Sequence, residues 1–184
     1  MRTSAPHRLL RAALALGLVL APAAPAPAQP TEEAIKAAFL PKFARYVTWP
    51  GSARPGPRAA FNLCLVGRDP FGQMLDQSAA GELIDGHGVG VQRHASAETA
   101  SRCHIAFVQG RTQRETAELL RALANRPVLT VTDSRAGPQR GMIHFTVAGG
   151  RVRFYIDEAA AASRGLSISS RLLALALSVR QRRS

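Results

Sequence analysis

Between Thr31 and Val47 the chain places Ile35, Phe39, Phe43, Tyr46 and Val47 at helical spacings, which predicts an N-terminal helix that buries this set. Thr31 is positioned to cap it, Glu32 and Glu33 suit the positive end of its dipole, and Pro41, with no N–H to donate, predicts a kink. Trp49, Pro50 and Gly51 stop the helix, and residues 51–59, with Pro55 and Pro57, read as a loop. The period then changes. Residues 61–66 form an apolar run of strand length ending at Gly67, and residues 70–79 follow as a helix with Pro70 near its first turn. Residues 86–92 carry apolar positions between three glycines and read as a weaker strand. Residues 103–108 form another apolar strand, residues 115–125 a helix with Leu119, Leu120 and Leu123 on one face, and residues 127–131 a β-branched strand.

Strands alternating with helices imply a mostly parallel sheet with helices packed on it. The last third differs. Met142, Phe145 and Val147 precede Gly149 and Gly150, after which Val152, Phe154 and Ile156 alternate with Arg151, Arg153 and Tyr155, the pattern of a β-hairpin. Residues 157–164 predict a short helix ended by Gly165. Ile168, Leu172, Leu175 and Val179 then predict a terminal helix, with the serines of residues 167–170 at its cap. The expected architecture is one α/β domain over residues 29–184: a mostly parallel central sheet flanked by helices, with a C-terminal β-hairpin and terminal helix.

Residues 1–28 read differently from the rest. Arg2, His7, Arg8 and Arg11 precede an apolar stretch at residues 12–20, and Ala26 and Ala28 supply a small-x-small cleavage site before Gln29. That is the layout of a cleavable signal peptide, and its apolar core is about half as long as a membrane span requires. The chain is therefore expected to be exported.

Charge and chemistry narrow the function. The 184 residues carry 24 Lys and Arg against 12 Asp and Glu, a formal charge of +12, of which Arg2, Arg8 and Arg11 belong to the export segment. The remaining basic residues are spread singly, cluster only at Arg180, Arg182 and Arg183, and have few aromatics between them. This is a solvated basic surface, open to an acidic partner or an anionic membrane face, rather than a nucleic-acid groove. The histidines of the exported portion, His87, His94, His104 and His144, show no metal-binding spacing, and no cofactor motif is present. Gly86, Gly88 and Gly90 lack the remainder of a phosphate loop, residues 165–170 do not match a nucleophile elbow, and Asp133, Asp157 and Glu158 lie at predicted element ends where acids cap. No catalytic residue is assigned. Cys64 and Cys103 each sit in an apolar strand, as a structural disulfide of an exported chain or as two buried thiols.

The landmarks together resemble the YfiR/HmsC family of exported bacterial regulators. They are Lys36 and Phe39 running into Tyr46-Val47-Thr48-Trp49-Pro50, Cys64 to Gly67, Cys103 to Phe107, Val128 to Val131, Gly141 to Phe145, Val152 to Ile156, and Gly165-Leu166-Ser167-Ile168-Ser169-Ser170 followed by Leu172 and Leu173. Their order and spacing span essentially the whole exported chain. The resemblance implies a periplasmic, often dimeric α/β protein that is not an enzyme. It would repress a membrane diguanylate cyclase by binding its periplasmic sensor domain, until an outer-membrane lipoprotein sequesters it. It also implies a disulfide between Cys64 and Cys103. The sequence departs from the family in lacking the second cysteine pair of some members, and in having Asp157 and Arg171 where Asn and Gln or Lys occur. Tyr46, Trp49, Tyr155 and Arg171 are the candidate partner-binding residues, with core or rim packing as their competing role. The runner-up function is a periplasmic small-ligand-binding protein with its cleft at the C-terminal ends of the strands.

Overall fold

The structure, a computed structural model, describes residues 29–181; the export segment assigned to residues 1–28, and Arg182 and Arg183, lie outside the described residues. In chain order the elements are α1 (Glu32–Ala44), β1 (Val47–Thr48), β2 (Phe61–Gly67), α2 (Gln73–Ala79), β3 (Leu83–Ile84), β4 (His87–His94) and β5 (Ile105–Gln109). They continue with α3 (Gln113–Ala122), β6 (Leu129–Asp133), β7 (Ile143–Ala148), β8 (Arg151–Asp157), α4 (Glu158–Ala162), β9 (Ser167–Ile168), α5 (Ser170–Leu173) and β10 (Val179–Arg180). The main sheet has the order β10-β8-β7-β6-β5-β2-β4-β3. Strands β4, β2, β5, β6 and β7 are parallel, and β8 returns antiparallel to β7. A separate antiparallel ribbon joins β1 to β9.

This is the predicted α/β domain, and its apolar strands explain the layering. Central strands covered on both faces read as largely hydrophobic runs, as β2 and β5 do here, while β6 is buried throughout with Thr130, Thr132 and Asp133 among its residues. One face carries Leu63, Leu65, Phe107, Val131, Phe145 and Phe154 against α1, α2, α4 and α5. The other carries Cys64, Val66, Ala106 and Val108 against Leu119 and Leu123 of α3. The disulfide between Cys64 and Cys103 is formed, tying β2 to the segment entering β5 inside this second core.

Several local expectations change. Helix α1 runs through Pro41 to Ala44 and is capped by the Thr31 hydroxyl, which accepts from Ala34 N at 3.2 Å. It buries Lys36, Ala37, Leu40, Phe43 and Ala44, leaving Ile35, Phe39 and Tyr46 half-buried. The helix is apolar on nearly every side, so spacing marks it as a helix without fixing which face turns inward. Strand β4 is a full eight residues, paired with β2 from Val89 to His94. Ladder bonds use only backbone, so its glycines do not prevent this. The terminal helix is a single turn, α5. The chain beyond it runs beside β8, with Leu177 N donating to Phe154 O (2.8 Å) and Val179 in register with Ile156. A longer helix would have left the backbone groups along that edge of β8 unpaired.

Candidate partner-binding surface

The C-terminal ends of parallel strands are where an α/β sheet usually opens a cleft, at the point where successive crossovers go opposite ways. Here that point lies between β2 and β5, and it is closed. Arg68 N donates to Gln109 O at 2.6 Å, and a Cβ on Gly67 (φ 91°) would lie 2.3 Å from the same oxygen. Gly110 N donates to the Thr116 hydroxyl at 3.0 Å, and a Cβ on Gly110 would meet Thr116 N at 2.6 Å. The small-ligand cleft expected at this end is therefore filled by backbone. At the end of β6 the space is taken by ions: Lys36 Nζ donates to Asp133 and Glu32, and Arg135 bridges Glu32 (2.6 Å) and Glu33 (2.8 Å).

Two histidines are buried in the sheet. Burial pushes the His104 pKa below its ordinary value, helped by the charge of His87; its Nδ1 accepts from Asn62 N at 2.9 Å, which only the unprotonated nitrogen can do. His144 is also pushed down, by burial first and then by Arg140 and Lys36, against an opposing pull from Asp133. Its Nδ1 is 2.8 Å from the Thr132 hydroxyl. A histidine with a lowered folded pKa binds its proton more readily when unfolded, so the stability it supports is present above the unfolded value of about 6.5 and is lost as pH falls below it. The urea midpoint is expected to fall between pH 7.5 and pH 5.5, and to fall less in His144→Gln. An equal fall in that variant would assign the pH dependence elsewhere.

The sulfurs of Cys64 and Cys103 and a ring nitrogen of His94 lie within 4.8 Å of one another. The sulfurs are bonded to each other and offer no thiolate, so this trio is not assembled as a metal site.

The four sequence-derived partner candidates do not form one patch. Trp49 is only 5% exposed; its ring packs edge-on against Phe61 at 5.0 Å and its Nε1 donates to His104 O at 3.2 Å, a core role. Tyr155 is half-buried on the sheet face opposite α1, stacked on His144 with the Arg140 guanidinium 4.6 Å above its ring. Tyr46 and Arg171 lie near each other, because Ser169 N donates to Tyr46 O at 2.8 Å and Arg171 N to the Ser169 hydroxyl at 3.2 Å. Tyr46 is half-buried and Arg171 exposed.

What spacing alone did not reveal is the surface these two adjoin. Ile35, Phe39, Lys42 and Tyr46 follow one another along the outer side of α1, and a shallow depression of about 270 Å³ is lined there by Pro30, Ala34, Ile35, Ala38, Phe39 and Lys42. Phe39 lies 6.0 Å from the ring of Phe154 in β8. On the same sheet face Val147 pairs with Val152, and Val147 is 47% exposed. Beside Phe154 runs the C-terminal segment, with Leu175 and Leu177 at 57% and 37% exposure. Among the described residues the large exposed hydrophobics are Leu83, Val147, Leu175 and Leu177; Leu177 lies beside Phe154, and Val147 is on the sheet face that carries Phe145 and Phe154.

A family model described as YfiR/HmsC-like matches residues 33–177, nearly all of the described chain. No curated protein matches it.

Proposed function

Because the chain belongs to the YfiR/HmsC-like family, which is regulatory rather than catalytic, we propose that it is an exported repressor of a membrane diguanylate cyclase. In this reading the signal peptide of residues 1–28 delivers it to the periplasm, where it binds the cyclase's periplasmic sensor domain and lowers cyclic di-GMP and biofilm formation. An outer-membrane lipoprotein that sequesters it relieves the repression, and the protein acts as a homodimer.

The observation that carries this reading is the half-exposed apolar side of α1 with its continuation at Val147, Val152 and Leu177. No helix of the described residues is long and apolar enough to cross a membrane, so an effect on a cytoplasmic reaction has to pass through a partner that does cross. The repressor biases the sensor domain between two conformations by binding one of them more tightly. Moving the active fraction from about 99% to 1% takes a preference of roughly 5.5 kcal/mol. Desolvated aromatic anchors supply energy of that order at protein interfaces. Phe39 is the central anchor, Ile35 and Leu177 flank it, and Tyr46 and Arg171 form the rim. Tyr155, on the opposite face, belongs to a different contact of the same assembly.

Phe39→Asp is expected to weaken capture of the purified sensor domain at least tenfold and to raise cellular cyclic di-GMP. A Leu83→Asp control on the far edge of the sheet should retain both. Undiminished capture by the folded Phe39→Asp protein would remove this surface from the account.

A further inference from the structure

At the end of the sheet opposite the Lys36 ion pairs, four arginines line one groove. Two adjoining hollows of about 510 and 560 Å³ share Ser52, Arg126 and Pro127; the first is edged by Arg54 and Arg102 and the second by Arg164. They lie before the N-terminal ends of β2, β5 and β6, and no carboxylate lines either one.

What sets this place apart is that, among the described residues, four arginines without an acid partner converge on one groove whose lining holds no Asp or Glu. Six arginines away from the groove, Arg45, Arg93, Arg111, Arg114, Arg135 and Arg180, each hold a carboxylate. Arg54, Arg102, Arg126 and Arg164 have no carboxylate partner among the described residues. Three of them are fixed by backbone carbonyls instead: Arg54 Nε donates to Trp49 O (3.1 Å), Arg126 Nη1 to Ala97 O (2.9 Å), and Arg164 to Ala124 O and Ala160 O. A guanidinium has five N–H donors in a rigid fork, so these bonds orient each arginine while leaving further donors without a partner among the described residues. The base is also rigid. Asn62 Nδ2 donates to Arg102 O at 2.9 Å, and the neighbouring Cys103 is tied down by its disulfide. The helix ends nearby, those of α3 and α4, are C-terminal and would repel an anion; Arg164 bonds carbonyls at both.

We propose that this groove binds a small organic anion carrying two or more carboxylate or phosphate groups. Its hollows fall in the size range of metabolite sites, and arginine forks match both kinds of oxyanion bidentately. The site is separate from the apolar side of α1 and does not depend on the partner reading.

The test is calorimetric titration of the purified protein with citrate and with inorganic pyrophosphate, at constant ionic strength in chloride buffer. Saturable one-to-one binding of at least one probe is expected, and which probe binds more tightly assigns the carboxylate or phosphate class. Arg102→Glu, at an exposed position on the rim, is expected to weaken binding at least tenfold with an unchanged urea midpoint. Arg126→Lys, which keeps the charge but not the fork, should weaken it severalfold, and Arg114→Ala on the outer side of α3 should leave it unchanged. Absence of saturable binding by either probe, undiminished binding by Arg102→Glu, or an equal loss in Arg114→Ala would overturn the proposal.

Discussion

Replacing Lys36 with methionine is expected to destabilise the fold by about 3–5 kcal/mol, the range for removing one partner of a buried ion pair. Lys36 is 1% exposed and its ammonium donates to both Asp133 and Glu32, while Asp133 is itself buried. Methionine keeps the length of the stem, so the loss comes from leaving a carboxylate in low dielectric rather than from a cavity. Arg135 keeps its bond to Glu32, which leaves Asp133 as the stranded charge. The double variant Lys36→Met with Asp133→Asn removes that charge too and is expected to recover most of the loss. The amide oxygen can still accept from Arg135 N, as the Asp133 carboxylate does at 3.0 Å. Urea unfolding at pH 7 checks both; a single-variant loss under about 1 kcal/mol would show that water reaches Asp133 and screens it.

The second large effect belongs to the disulfide. Cys64→Ala with Cys103→Ala is expected to cost about 4 kcal/mol, the loop-closure value for cysteines separated by 39 positions. Both sulfurs sit in the core beneath α3, so their removal also forfeits packing. The native strand order should persist, because β2 still pairs with β5 and β4 through backbone. Urea midpoints of the oxidised wild type and the double variant check this, and midpoints within error of each other would mean the bridge adds nothing that the sheet does not already hold.

Much of the fold was legible because its signals are local. The apolar runs at residues 61–66 and 103–108, the helix marked by Leu119 and Leu123, and the Gly149-Gly150 turn each state their own structure. The hairpin between β3 and β4 was also written in the sequence. Asp85 and Gly86 form its two-residue turn with φ of 49° and 84°, and Asp-Gly is a strong signal for such a turn. The glycines on either side of it obscured that reading. The C-terminal segment was not legible from its own residues. Leu172, Leu175 and Val179 fit a helical period, yet what decides their structure is the free edge of β8, which no local pattern reports.

The candidate site was less legible, for a related reason. Trp49 was a candidate anchor as a large aromatic, but its position against Phe61 depends on a residue 12 positions away. The outer side of α1 was hidden because Ile35, Phe39 and Phe43 seemed to form one buried face, and only the packed sheet shows that Phe43 faces inward while Phe39 lies at the edge. Lys36 gave no sign of burial, since its acids come from one turn earlier and from the end of β6.

Repression of a diguanylate cyclase from the periplasm can be read from cyclic di-GMP in the source bacterium after deletion of the gene. Complementation would use the full chain and a copy lacking residues 1–28. A rise on deletion is expected, reversed only by the full, exported chain. An unchanged level under conditions where the gene is expressed, or equal reversal by the copy that cannot be exported, would contradict periplasmic repression.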